Sequence, residues 1–214
     1  MIKIKLFQFN MFPVNCYLLT DEDTSECVII DAGCYYPDEQ LELKNYISDN
    51  RLKPVRLLNT HLHLDHIFGN AYVSRTYHLQ PEASQRDEFL IPRTASYCKM
   101  FGFPVNEEPA PLGGYLSDGD QIQFGNSTLQ VIATPGHSPG GLVFYNKENA
   151  CMFCGDTLFQ CGIGRTDFEQ GSYHQLIDSI RCRLFTLPDD TVVYPGHGPK
   201  TTIGDEKKYN PYLR

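Results

Sequence analysis

The sequence predicts an α/β protein in four layers, with two sheets packed against each other inside a coat of helices (αββα). Two observations carry that expectation. Apolar runs with strand character come in two batches, and each batch is followed by segments with helical periodicity. The polar side chains able to do chemistry recur where such a run gives way to a Gly- or Pro-marked loop, and strand ends on one sheet edge converge in space. At 214 residues and 41% hydrophobic content the chain can bury one sizeable core, so 1–214 is expected to be a single domain.

The elements follow in order. Residues 2–9, 14–20 and 27–31 read as strands, and the third closes in IIDAG, at Asp31 and Gly33. Residues 37–50 read as a helix: Pro37 suits a first helical position, and Leu43, Tyr46, Ile47 and Asn50 share a face. PVRLLNT (54–60) is a short strand feeding the stretch THLHLDHIFGN, after which 66–79 reads as helical. A helix is expected over 83–100, then a Pro/Gly-rich loop, FGFPVNEEPAPLGG. Residues 80–118 as a whole are the expected variable insertion near the site. A hairpin follows (DQIQF, GNS, TLQVIATPGH), then strands at 141–146 and 150–156. Residues 171–187 read as a helix, with Ser172 and Gln175 forming a capping box and Tyr173, Leu176, Ile177, Ile180 and Leu184 on one face. TVVYPGHG (191–198) is a final strand running into a loop.

Composition excludes several functions. The formal charge is −8 and no basic run appears, so neither nucleic acid nor an anionic membrane is expected as a partner. No apolar run approaches a membrane span, and MIKIKLFQF alternates charged and apolar residues as a strand does rather than a signal peptide. A soluble cytoplasmic protein is therefore expected, with its eight cysteines reduced. The CxxC in ACMFCGD reads as buried strand cysteines, because no second pair sits at zinc-finger spacing.

The strand-end set comprises Asp31, His61, His63, Asp65, His66, His137, Asp156 and His197, which takes in five of the seven histidines. In an extended chain His61 and His63 point the same way. Asp65 falls where the next helix begins and serves either as its N-cap or as a carboxylate beside His66. The turn thus splits its ligands into His61/His63 and Asp65/His66, a division that suits two metals better than one. His137 and His197 are placed to complete the halves, and the two oxygens of Asp156 can bridge them. Imidazole and carboxylate donors suit Zn, Fe or Mn, and a His/Asp-rich, loop-borne site favours catalysis over structure. His78 and His174 read as ordinary solvated side chains.

H-x-H-x-D-H at 61–66, with His137, Asp156 and His197, resembles the metallo-β-lactamase-fold hydrolases over nearly the whole chain. The stretches GDTLFQCGIGRTDFEQGSYHQLIDSI, YPGHGPKTTIGDEKKYNPYLR and PVNCYLL are similar to the short glyoxalase II-like (hydroxyacylglutathione hydrolase-like) branch. The resemblance implies two mixed sheets with a dinuclear site at one edge. His61, His63 and His137 would hold one divalent ion, Asp65, His66 and His197 the other, and Asp156 would bridge; Asp31 would support them from behind. It further implies zinc, with iron or manganese as alternatives. The implied reaction is hydrolysis of a small-molecule thioester such as S-lactoylglutathione by a bridging hydroxide held with Asp65 and Asp156. Larger glyoxalase II enzymes carry a C-terminal helical domain that helps bind glutathione, whereas only 199–214 follow His197 here. Arg165 matches a basic position that contacts glutathione in those enzymes, and reads equally as a loop arginine paired with Asp167. The rivals are a persulfide dioxygenase with one iron on His61, His137 and Asp156, a lactonase or other ester hydrolase, a nuclease (disfavoured by charge) and a non-catalytic metal-binding module.

Overall fold

A computed structural model describes residues 1–214. The strands are β1 (Ile2–Phe9), β2 (Val14–Asp21), β3 (Glu26–Ile30), β4 (Lys53–Leu58), β5 (Pro81–Ala83), β6 (Gly114–Tyr115), β7 (Gln121–Phe124), β8 (Ser127–Ala133), β9 (Leu142–Asn146), β10 (Cys151–Gly155), β11 (Leu158–Phe159), β12 (Gly162–Ile163), β13 (Val192–Pro195) and β14 (Thr201–Thr202). The α-helices are α1 (Pro37–Asp49), α2 (Leu64–Ile67), α3 (Asn70–Tyr77), α4 (Thr94–Phe101), α5 (Tyr173–Ser179) and α6 (Ile203–Tyr209). One sheet runs β1-β2-β3-β4-β5-β6, antiparallel through β3 and parallel beyond it; the other runs β14-β13-β10-β9-β8-β7, with only β10 and β13 parallel.

Alternation along each strand builds the four layers. On β2, Tyr17 and Leu19 face the second sheet and meet Phe124, Phe144 and Phe153, while Cys16 and Leu18 face outward onto Leu43 and Ile47 of α1 and Val73 of α3. Both faces are covered, so all eight residues of β2 are buried. The second sheet repeats the scheme: Val143, Met152 and Cys154 face outward onto Leu176 and Ile180. Cys151 and Cys154 are buried on β10 and every cysteine is free, as the strand reading of CMFC expected. No helix is long and apolar enough to cross a membrane.

The elements depart from expectation in four places. The helix expected over 66–79 begins two residues earlier and breaks in two around Phe68 and Gly69, because the chain there passes against the 32–34 loop. Gly69 N donates to Ala32 O (2.7 Å), and a Cβ on Gly69 would collide with Cys34 Sγ. The helix expected over 83–100 is a 3-10 turn series over Gln85–Arg93 followed by α4, since Pro92 cannot donate to an α-helical ladder. Residues 80–118 also supply β5 and β6, which extend the first sheet. The helix expected over 171–187 is α5 running into π-helix at Ile180–Leu184, and Tyr173 is exposed rather than on the buried face. The Ser172 side chain accepts from Gln175 N, as the cap requires. Beyond His197 the chain forms β14 and α6, which close the second sheet.

Candidate metal centre

Seven side chains converge from loops at one edge of both sheets. From the first sheet, β3 delivers Asp31, held at φ +54° with its N–H donating to Leu58 O. Its Oδ1 accepts from Thr60 N (2.8 Å), and its Oδ2 accepts from Thr60 Oγ1 (2.7 Å) and lies 3.0 Å from His66 Nδ1. This carboxylate stands behind the metal-capable atoms and fixes both the loop after β4 and one imidazole. His61 and His63 follow on extended backbone, with His63 as the N-cap residue of α2. Asp65 therefore falls inside the first turn. Of its two predicted roles it takes the second, with its carboxylate 3.2 Å from His197 Nε2 and 3.7 Å from His66 Nε2.

The second sheet supplies the rest. The turn after β8 carries His137, whose Nδ1 donates to Arg165 O (2.7 Å). With that proton placed, its Nε2 presents a lone pair 2.8 Å from His63 Nδ1 and 3.2 Å from His61 Nε2. β10 ends at Gly155 (φ +48°), where a Cβ would strike the Thr60 side chain, and Asp156 follows. Asp156 Oδ1 is 3.5 Å from His66 Nε2, and Oδ2 is 3.6 Å from both His137 Nε2 and His197 Nε2. β13 ends at Pro195, and Gly196 packs so close to Asp156 that a side chain there would overlap its carboxylate. The start of β2 seams this last loop: Asn15 N donates to Gly196 O (2.7 Å), Asn15 Nδ2 to Pro195 O and Gly198 O, and Tyr17 Oη to Pro195 O (2.6 Å).

Three overlapping groups have ligand atoms within 4.8 Å of one another: His61, His63 and His137; His61, His66 and Asp156; Asp65, His66 and His197. Their chemistry fits a cationic centre. His66 Nε2 and Asp156 Oδ1 are buried with no hydrogen-bond partner, and such an orphan costs about 1–3 kcal/mol unless something satisfies it. The outward ring nitrogens of His61, His66 and His137 meet a hydroxyl, a carboxylate and a carbonyl, the outer hydrogen bonds that aim imidazoles at a metal. Burial, reinforced by the neighbouring imidazoles, pushes His61 well below its ordinary range, and burial with His137 brings His63 to about 3, so both rings are neutral as ligands must be. Burial would also lower His66, but the carboxylates of Asp65, Asp31 and Asp156 outweigh it and raise the ring well above. Asp156 is held far below the carboxylate range: burial opposes this, and His66 foremost among the imidazoles overcomes it. A cluster of this kind is built around positive charge.

Arg165 lies at the rim, where its Nε and Nη2 donate to the two carboxylate oxygens of Asp167 (2.9 and 2.8 Å) and its guanidinium stacks 4.6 Å from the Phe168 ring. His174 is exposed and pairs with Asp178, and His78 caps α3, both away from the centre. Sequence reasoning missed Asp87. Fully buried, it accepts from Leu62 N (3.3 Å), Ser138 Oγ (2.7 Å) and Gly140 N (2.5 Å), tying the loop of His61 and His63 to that of His137. Nothing in QRDEF marks it. It also missed Asn10, whose Nδ2 donates to Gly33 O and Asp65 O. Asn15 and Tyr17 lie in the PVNCYLL stretch, which did carry signal.

The model of the metallo-beta-lactamase superfamily matches residues 10–197. The hydroxyacylglutathione hydrolase GloC of Haemophilus influenzae is 34% identical over 213 residues, covering 99% of this chain and 98% of that protein. The mitochondrial persulfide dioxygenase ETHE1 of Homo sapiens is 33% identical over 208 residues, covering 94% of this chain and 73% of that one. The crystal structure of TTHA1623 in a di-iron-bound form superposes with a TM-score of 0.86 at 33% identity, covering 98% of this chain and 100% of that one.

Proposed function

The chain belongs to the metallo-beta-lactamase superfamily, and from that premise we propose that it is a dinuclear metallo-hydrolase that cleaves a small-molecule thioester, with S-lactoylglutathione as the reference substrate. The observation that carries this reading is the complete double ligand set. His61, His63 and His137 form one group, Asp65, His66 and His197 the other, and Asp156 faces imidazoles of both. The relative named for hydroxyacylglutathione hydrolysis supports the thioester class.

Two divalent ions bound there, zinc first and iron or manganese as alternatives, would supply a Lewis acid and bring the pKa of a shared water down to about 7. The chain does the remaining work. Asp156 and Asp65 line the cavity, where Asp156 would join the two ions and the Asp65 carboxylate would orient the attacking water and take its proton. Asp31 holds the His66 ring by Nδ1, and Arg165 O holds the His137 ring by Nδ1, so neither imidazole rotates as charge develops. The leaving thiol has an ordinary pKa of about 8.5, so it departs as thiolate without a dedicated acid. Consistent with that, no lysine or tyrosine hydroxyl bonds to a member of the ligand set.

A second reading has its own support in the human persulfide dioxygenase relative: one iron on His61, His137 and Asp156. Metal analysis of purified protein separates the two when run beside a panel of glutathione thioesters, lactones, β-lactams and a persulfide with oxygen monitoring. Two metals per chain with thioester turnover is the expected result; one iron with oxygen uptake sinks the hydrolase. On the hydrolase reading, His61→Ala and Asp156→Ala each lose bound metal and turnover together, and full turnover in either variant refutes the ligand assignment.

A further inference from the structure

The cavity over the ligand set has a volume of about 370 Å³, which places it in the small-ligand range. Its wall is aromatic and comes from four separate segments. Phe12 lies on the β1–β2 loop, Tyr97 and Phe101 on α4, Phe159 on β11, and Phe168 on the loop before α5. The rings brace one another. Phe12 meets Phe101 edge-on with centroids 5.7 Å apart, and Phe168 leans on His63 at 4.8 Å. The preformed wall therefore presents ring faces and edges to whatever sits against the metal-capable atoms.

Charge on the wall is the second observation. Arg165 is the only lysine or arginine that lines the cavity, and one edge of its guanidinium, Nε and Nη2, is engaged by Asp167 while its face meets Phe168. Glutathione carries carboxylates at both ends, and recognition by charge would need free cationic donors near the mouth. The lining offers only this one guanidinium, whose charge Asp167 already pairs. The remaining charged residues there are Asp65 and Asp156, which belong to the ligand set.

We propose that this cavity selects an aromatic acyl group, so that the substrate is an aryl-bearing thioester such as an arylacetyl thioester, and that the thiol carrier is read weakly. The inference rests on the thioester-hydrolase reading and names its substrate class. In the reaction a water oxygen forms the new bond to the acyl carbon, the C–S bond breaks with its electron pair leaving on sulfur, and the water proton passes by way of the Asp65 carboxylate to the departing thiolate. The aromatic acid and the free thiol are the products. The acyl ring lies against Phe101 and Phe159, and the thiol portion points to solvent past Arg165.

Binding tests the assignment independently of turnover. Metal-loaded protein is titrated calorimetrically with three inert thioethers: S-(2-phenylethyl)-N-acetylcysteamine, S-(2-hydroxypropyl)-N-acetylcysteamine and S-(2-phenylethyl)glutathione. The phenylethyl ligand should bind at least about tenfold more tightly than the hydroxypropyl one, a gain of the size that aromatic contact plus ring burial gives. Replacing the neutral carrier by glutathione should change affinity by less than about fivefold, the range of an exposed ion pair. Phe101→Ala should shrink the phenylethyl-to-hydroxypropyl ratio. Equal binding of the two neutral ligands, a tenfold or greater gain from glutathione, or an unchanged ratio in Phe101→Ala each overturns the proposal; so does an octyl thioether that outbinds the phenylethyl one. A matching turnover series of phenylacetyl and lactoyl thioesters separates the two readings. Aromatic preference in binding without cleavage of any thioester defeats the hydrolase reading alone. Cleavage without aromatic preference defeats the substrate class alone.

Discussion

Asp87 accepts hydrogen bonds from the backbone between His61 and His63 and from the residues just after His137, so one buried carboxylate sets the spacing of two ligand loops. Asp87→Asn turns one of its acceptor oxygens into a donor that faces N–H and O–H groups. The expected cost is about 1–3 kcal/mol in urea unfolding, with weaker metal retention by dialysis. Unchanged stability and metal content would show that the loops hold their spacing without it. The contrast with the histidines explains what single residues reveal. His61, His63, Asp65 and His66 were legible because their donors lie within six positions, and His137, Asp156 and His197 because each follows an apolar strand through a glycine or proline. Asp87 was not, because its partners lie 25, 51 and 53 positions away. The same holds for Asn10, which reaches Asp65 across 55 positions. Arg165 divided evenly between two readings in sequence because its neighbour Asp167 fits both, and the bidentate pair is what forms.

At the scale of elements, the end of β2 and the β7–β8 turn are clasped by Asp21. Its carboxylate accepts from Ser127 Oγ (2.7 Å), Thr24 Oγ1 (2.9 Å), Thr24 N (3.0 Å) and Asn126 N (3.2 Å), joining the two sheets at the hairpin tip. Burial alone would raise the pKa of this group, but those bonds to the ionised form outweigh it and lower the value. The sign follows: the stabilisation is present above the unfolded carboxylate value of about 3.9 and disappears as pH falls through the lower folded value. Unfolding followed from neutral pH down to about pH 3 should show Asp21→Asn losing less stability on acidification than the native chain, and parallel curves would refute the clasp. Strands with two covered faces, such as β2 and β9, were readable as continuous apolar runs. The three-residue β5 and the two-residue β6 were not, since so short a segment carries no period and exists only because the first sheet has an edge to extend. The break at Gly69 was equally silent, because it is set by contact with Ala32 and Cys34 rather than by local propensity.

Across the whole molecule, the candidate ligands divide between the sheets: His61, His63, Asp65 and His66 follow the fourth strand of the first, and His137, Asp156 and His197 follow strands of the second. Ions held by both sets would cross-link the sandwich at its functional edge. Metal at a hundredfold excess over its Kd adds about 2.7 kcal/mol to stability. For a chain of this size that raises Tm on the order of 5–10 °C. Thermal unfolding of chelator-stripped and metal-reloaded protein measures the difference, and coincident melting curves would refute binding across the two sheets. The layered architecture was legible from the two batches of strands, but the way they meet was not, because sheet-to-sheet pairing leaves no mark on either sequence segment.

The seam between Asn15, Tyr17 and the Pro195–Gly198 loop gives the centre a history as well as a shape. Those hydrogen bonds span about 180 positions, as does the bridge between Val14 and His197. A ribosome that has released residues 1–190 has made six of the seven candidate ligands, yet the loop that carries His197 does not exist, and the Asn15 amide lacks its Pro195 and Gly198 partners. During synthesis the seam therefore closes only once β13 and the loop after it have been made, so this edge and the second sheet are completed together. The last candidate ligand to be made is thus also the one whose loop the first hairpin holds.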